Sequence, residues 1–300
     1  MPADLTNPIF TNEDAAREHF EKLRWPDGNP ICPHCSVIDE ATKLGGKSHR
    51  PGLYQCNACR GAYTIRNGSI FERSHIPMHK WALAFHLMAA SKKGMSAHQL
   101  HRMLGITYKS AWFMCHRIRE AMRDTSTTPM GGEGQSVQVD ETYFGNTSKR
   151  AKHYRKEKRA KQQIVALVEP GVKVRGFHVK TANAQVVRNI VVTNISRKST
   201  LTTDDAYLYR KMGKEFADHT TVKHSHREYV NADGFHTNNV ENFFGIFKRG
   251  MVGVYHKCDE QHLQRYVDEF SFRYSNRKVS DVERAVLAIK GAEGKRLMYR

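Results

Sequence analysis

Four cysteines carry the clearest chemistry in the sequence. Cys32, Cys35, Cys56 and Cys59 form two C-x2-C pairs with twenty residues between them. Each pair can present two thiolates to one tetrahedral ion, so the expected ligand is a structural Zn²⁺. In a reducing compartment this spacing means metal rather than disulfides. His34 lies inside the first pair, but four cysteines already fill the shell. Cys115 and Cys258 stand alone; Cys115 is expected to be a small core residue.

Carboxylates form a second candidate set. Asp140 sits in "VQVDETYFG", Asp204 and Asp205 close "LTTDD", and Glu241 lies in "HTNNVENFFGIFKRG". A charged, unpaired acid on a half-buried strand costs several kcal/mol. A divalent cation offsets that cost, and Mg²⁺ takes a few carboxylates, waters and phosphate oxygens. Two such ions about 4 Å apart suit an in-line displacement at phosphorus. From the pattern alone, solvated surface acids remain the alternative.

These residues need elements to position them. Val240, Phe243, Phe244, Phe247 and Met251 form one apolar helical stripe, with Glu241 and Lys248 two turns apart on its flank. "SVQVDETYF", "QIVALVE", "VRGFHVK", "STLTTDD" and "TTVKHS" read as strands. "NAQVVRNIVVTNI", "AYLYRKMGKEF" and the stretch beyond residue 259 read as helices. The mixture predicts an α/β domain with a mixed sheet. Upstream, "TNEDAAREHFEKLRW" predicts a helix capped by Thr11, and "LYQCNACRGAYTI" a hairpin. A helix running towards Gly94, then "SAHQLHRMLG" and "ITYKSAWFMCHRIREAMR", give the helix, short glycine-containing turn and helix of a helix-turn-helix. Lys109, Arg117 and Arg119 on the last helix are DNA-contact candidates.

The 300 residues carry 48 Lys and Arg against 30 acids, a net charge of +18. That imbalance predicts a polyanionic partner, DNA or RNA first. An anionic membrane surface is the weaker alternative. The tract "KRAKHYRKEKRAK" holds eight Lys or Arg in thirteen residues, including Lys149, Arg150 and Arg155. Between two strands, it reads as a phosphate-gripping hairpin tip or a solvated tether. No apolar run is long enough to span a bilayer, and "MPADLTNPIF" does not read as a secretory signal. A cytoplasmic, nucleoid-associated protein is expected.

"RWPDGNPICPHC", "YQCNACRGAYTIRNGSIF", "VDETYFG", "TTDDAYLY", "HTNNVENFFGIFKRGMVGVYH" and "LQRYVDEFSFRYSNR" occur in this order through nearly the whole chain. Together they resemble a bacterial insertion-sequence DDE transposase of the group with an N-terminal zinc ribbon and a ribonuclease H-like catalytic domain. The resemblance implies catalytic, metal-holding roles for Asp140, Asp204 and Glu241, with Asp204 chosen over Asp205. It implies that Lys248 is the cation pointing at the DNA end, with Arg249 beside it, and that two Mg²⁺ or Mn²⁺ ions bind per site. Asn238 could help orient the metal, and His236 or His256 could touch the phosphate. Glu141 is expected to support the site, and Glu269 to make a helix contact. The expected domains are 1–74 (helix and zinc ribbon), 75–124 (helix-turn-helix), 125–135 (linker) and 136–300 (catalytic). The implied activity is binding of terminal inverted repeats, metal-dependent strand cleavage and transfer to target DNA, by a homodimer or higher oligomer on DNA. The alternatives are a transposase-derived non-catalytic DNA-binding regulator and a metal-dependent nuclease that cuts without joining.

Overall fold

A computed structural model describes residues 4–145, 161–204, 206–222 and 236–297. The chain divides into two compact units, Met1–Arg123 with Lys278–Arg300, and Asp124–Arg277.

The first unit begins with a 3-10 turn, Pro8–Phe10, and helix α1 (Glu13–Arg24). The cap of α1 is Asn12, one residue after the expected Thr11. Its side-chain oxygen accepts from the amides of Asp14 and Ala15 at 2.9 and 3.0 Å, so one carboxamide satisfies two otherwise orphaned donors. A small antiparallel sheet follows, β1 (Ala41–Leu44), β2 (Leu53–Cys56) and β3 (Ala62–Tyr63), in that order. Tyr54 stacks on Tyr63 at 5.7 Å, and Trp25 meets both rings edge-on. This aromatic trio gives the small sheet a core.

Three helices complete the first stretch: α2 (Met78–Ala90), α3 (Ala97–Leu104) and α4 (Tyr108–Met122). Ser96 caps α3, and Gly105 ends it in the left-handed conformation, with φ 58°. Thr107 then caps α4 through the Ser110 amide. The turn between α3 and α4 therefore has the short, glycine-containing form that the sequence predicts.

The second unit holds β4 (Ser136–Phe144), β5 (Gln162–Glu169), β6 (Lys173–Val179), α5 (Ala184–Asn194), β7 (Thr200–Asp204), α6 (Tyr207–Gly213) and β8 (Asp218–Val222). Next come α7 (Asn238–Gly250), a π-helical segment (Met251–Tyr255) and α8 (Glu260–Ser275). The sheet order is β6-β5-β4-β7-β8. The first three strands are antiparallel, and β7 and β8 run parallel to β4. This is the ribonuclease H-like mixed sheet, with helices on both faces.

Strand alternation divides the core. Val137 and Val139 of β4 face α5 and α6, where Val187, Val191, Tyr209 and Met212 are buried. Ile164 and Ala166 of β5 face α7 and α8, with Val240, Phe243, Phe247, Val267 and Phe270. The α7 stripe is buried along its whole length, ending at Met251. Burying each of its large side chains is worth roughly 1.5–3 kcal/mol. Gly176 of β6 lets α8 approach closely: a Cβ there would lie 2.3 Å from Val267 Cγ1.

Two domain expectations meet a different arrangement. The polar stretch 125–135 is docked on the second unit rather than spanning free. Arg175 donates to the Ser126 and Thr128 carbonyls at 3.0 and 2.9 Å, and Met130 is buried in the α5 core. The expected catalytic span, 136–300, also includes too much. The last helix, α9 (Asp281–Lys290), belongs to the first unit and packs on α2. Its Ala285, Ala288 and Ile289 are buried, and Arg284 donates to the Ala89 carbonyl at 3.1 Å. Small residues allow this close seat, and a Cβ on Gly291 would lie 2.2 Å from the Ala121 carbonyl oxygen.

Candidate active site

β4 sets the geometry of the acids. Gln138 and Asp140 share the strand face that looks towards α7, opposite Val137 and Val139. The parallel β4–β7 ladder pairs Gln138 with Thr202. Continued two residues, the same register places Asp140 beside Asp204, on the same face. Each carboxylate is anchored locally. Asp140 Oδ1 accepts from the Glu141 amide at 2.7 Å, and Asp204 Oδ1 from the Ala206 amide at 3.1 Å.

Glu241 comes from the first turn of α7 and is exposed. Thr237 Oγ1 donates to its Oε1 at 3.2 Å. Gln138, which the sequence reading passes over, fastens this helix to the sheet: its Oε1 accepts from the Val240 amide at 3.2 Å. Its side-chain amide lies 3.4 Å from His236 Nδ1. The available signal is a glutamine between Val137 and Val139, two residues before Asp140 and so on the same strand face.

Electrostatics tie these acids together. Burial, and then the charges of Glu141, Asp204 and Glu241, lift the Asp140 carboxyl to about 7, although the Glu141 amide pulls the other way. Glu141 points to the opposite face, where the Tyr209 hydroxyl of α6 donates to it. Burial raises its pKa first; the Tyr209 bond opposes the rise and the Asp204 charge adds to it. A half-buried Asp140 crowded by like charges favours a divalent cation. Asp140, Asp204 and Glu241 are hard oxygen donors that fit Mg²⁺ or Mn²⁺. Among the described residues, however, these three do not close to the 4.8 Å spacing that the four cysteines achieve.

The cysteine quartet is tighter. Cys32 and Cys59 sulfurs lie 3.7 Å apart, and Cys35 and Cys56 sulfurs 3.6 Å apart. The edge of a zinc–thiolate tetrahedron with bonds of about 2.3 Å is about 3.8 Å. Burial raises the Cys32 thiol, but the Cys35 and His34 amides and neighbouring thiols outweigh it and hold it at about 6. Cys35 is pushed up to about 12: the Val37 amide lowers it, but burial and the other sulfurs dominate. Four crowded thiolates coexist only around a cation, so this donor set fits Zn²⁺.

The other predicted residues fall in different places. Lys248 and Arg249 are exposed in the last turn of α7, and Lys109 is exposed in the first turn of α4. Arg117 and Arg119 are buried, at 7% and 2% exposure, which corrects their assignment as DNA contacts. Arg117 donates to the Ile70 and Glu72 carbonyls at 2.7 and 2.9 Å, and its guanidinium lies over the Phe113 ring. An α-helix covered on several sides buries even its cations. Asn238 is exposed at the start of α7, and His256 is exposed after the π-helical segment. Glu269 is fully buried against Arg273 and the Tyr255 hydroxyl, a helix contact as expected. Lys149, Arg150, Arg155 and Asp205 lie outside the described residues.

Residues 131–275 match the family model described as ISXO2-like transposase domain. Residues 11–61 match the transposase zinc-ribbon domain. The chain is also 24% identical over 284 residues to an uncharacterized protein in transposable element ISH50 of Halobacterium salinarum, covering 88% of this chain and 91% of that protein. No helix among the described residues is long and apolar enough to cross a membrane.

Proposed function

The chain belongs to the DDE transposases that carry an N-terminal zinc ribbon, and from that premise we propose that it cuts DNA at the ends of a mobile element and joins those ends to target DNA. What supports this reading is the Gln138–Thr202 pair of the parallel β4–β7 ladder, whose register continued two residues sets Asp140 beside Asp204 beneath a helix that brings Glu241, together with the charge crowding that raises the Asp140 carboxyl. A regulator that only bound DNA would gain nothing from that crowding.

Asp140, Asp204 and Glu241 would hold the metal. Bound Mg²⁺ or Mn²⁺ would supply Lewis acidity at the phosphate and a nucleophilic oxygen near neutral pH. Asp140 and Asp204 are pre-aimed by the Glu141 and Ala206 amides, so little reorganisation is needed. Lys248 lies seven residues, about 10 Å, beyond Glu241 along α7 and would meet a phosphate of the bound strand. Hydrolysis breaks a P–O bond and frees a 3′-hydroxyl, which then attacks a target phosphodiester. No protein–DNA bond forms. The zinc ribbon and α2–α4 would bind the terminal inverted repeats, with Lys109 on a phosphate and two protomers bringing two ends together. Lys149, Arg150 and Arg155 would add phosphate contacts.

The test incubates purified protein with duplexes from the DNA flanking its gene, Mg²⁺ and a plasmid target. End nicking and joined products are expected, and Asp140→Ala should reduce both to background. Nicking that survives Asp140→Ala would overturn the active-site assignment. Cutting without joined products would leave a nuclease.

A further inference from the structure

Past the C-terminal end of α7, the second unit opens into a cleft of about 990 Å³. Lys161, Lys180, His256 and Lys257 line it, from three separate chain segments. Lys161 precedes β5 and Lys180 follows β6. The Gln163–Val179 pair of the β5–β6 ladder brings those two segments to one end of the sheet. His256 has a positive φ of 56°, unusual for a non-glycine residue, and links the π-helical segment to α8. All three lysines are exposed, and none enters an ion pair among the described residues.

Two acids, Asp259 and Glu260, also line the cleft, but each is partly offset. Glu260 accepts from the Gln162 side-chain amide at 3.4 Å. Asp259 is the N-cap residue of α8, where the helix dipole favours a negative charge. The lysines therefore keep their charge for an outside anion. They are spread across an open cleft, which suits a polyanion held by charge rather than a small anion held by shape.

The direction of α7 supplies the second argument. Glu241 opens the helix, Lys248 and Arg249 end it, and His256 and Lys257 follow the next segment. Cations thus continue from the acid cluster to the cleft, over roughly 20 Å at helical rise. That is about six base pairs of duplex.

We propose that this cleft is a second DNA-backbone site, gripping the same duplex about half a helical turn from the scissile phosphate. The proposal rests on the reading of the chain as a DNA-processing protein, and its test is separate from the chemistry.

Full-length protein is saturated with a 40-base-pair duplex, followed by anisotropy, and its lysines are acetylated and mapped by mass spectrometry. Lys161, Lys180 and Lys257 should label several-fold more slowly with DNA bound. Lys198, exposed at the opposite end of β7, should label at its free rate. The double variant K180Q/K257Q should reduce the slope of log affinity against log salt by about 0.9 for each lysine lost, and arginine at both positions should restore it. Unchanged labelling of the cleft lysines in a saturated complex would overturn the proposal, as would an unchanged salt slope. Asp140→Ala protein, labelled in parallel, separates the two readings. Cleavage that survives in Asp140→Ala protein while the cleft lysines stay protected overturns the chemistry alone, and wild-type protein that still cleaves without protecting those lysines overturns the cleft alone.

Discussion

At the residue scale, burial decides which charged side chains do chemistry and which hold the fold. Asp140 is crowded by carboxylates, and its folded pKa of about 7 lies above the ordinary value of 3.8. The stabilising effect of its proton is therefore complete below about pH 4 and lost as pH rises through 7. In magnesium-free buffer, folding stability should fall across that window, by on the order of 4 kcal/mol. Asp140→Asn should flatten the profile, as read from urea midpoints at successive pH values; a wild-type profile that is already flat would contradict the crowding. Arg117 and Lys109 make the opposite pair. Arg117→Ala leaves two buried carbonyls without their donor and should cost about 1–3 kcal/mol, with no change in the salt slope of DNA binding. Lys109→Ala should leave stability alone and lower that slope by about 0.9. Sequence pattern treated both as helix-surface cations, because what covers Arg117 is the Ile70–Glu72 backbone, more than forty residues away.

At the element scale, the fold is close to what periodicity predicts. The α7 stripe and β4 fall on their expected residues, because each pattern is local. Three things were hidden for the opposite reason. Gln138 matters only once α7 lies over β4, Tyr209 only once α6 covers Glu141, and Gly176 only once α8 is seated. Gly176→Ala should push Val267 away and destabilise the second unit by about 1–3 kcal/mol; differential scanning calorimetry would detect it, and an unchanged melting temperature would show that α8 can shift freely. The ribbon offers a spectroscopic handle, since Trp25 sits against Tyr54 and Tyr63. Cys56→Ser should release zinc, measured by elemental analysis, and change Trp25 emission while leaving the helical signal of the second unit. Zinc retained at full stoichiometry would contradict a four-cysteine site.

At the scale of the whole molecule, the chain leaves its first unit at residue 123 and returns to it at 278. Sequence reading placed the boundary between domains by composition, which marks polar stretches but not where they dock. The 125–135 stretch looks like a tether and is held by Arg175, while α9 looks like the tail of the catalytic domain and packs on α2. Deleting 278–300 should therefore melt the first unit and abolish zinc-dependent end binding, with the Asp124–Arg277 unit still folded by circular dichroism. A truncated protein with an intact first unit would refute the pairing of α9 with α2.

That return of the chain has a consequence during synthesis. The ribbon and its helices leave the ribosome before the second unit, yet α9, which packs on α2, is made only after that unit. A nascent polypeptide would therefore carry a finished acid-bearing sheet before its ribbon-bearing unit is closed, and a chain stopped just after residue 277 would be able to fold that sheet but not to seat α2 against its last partner.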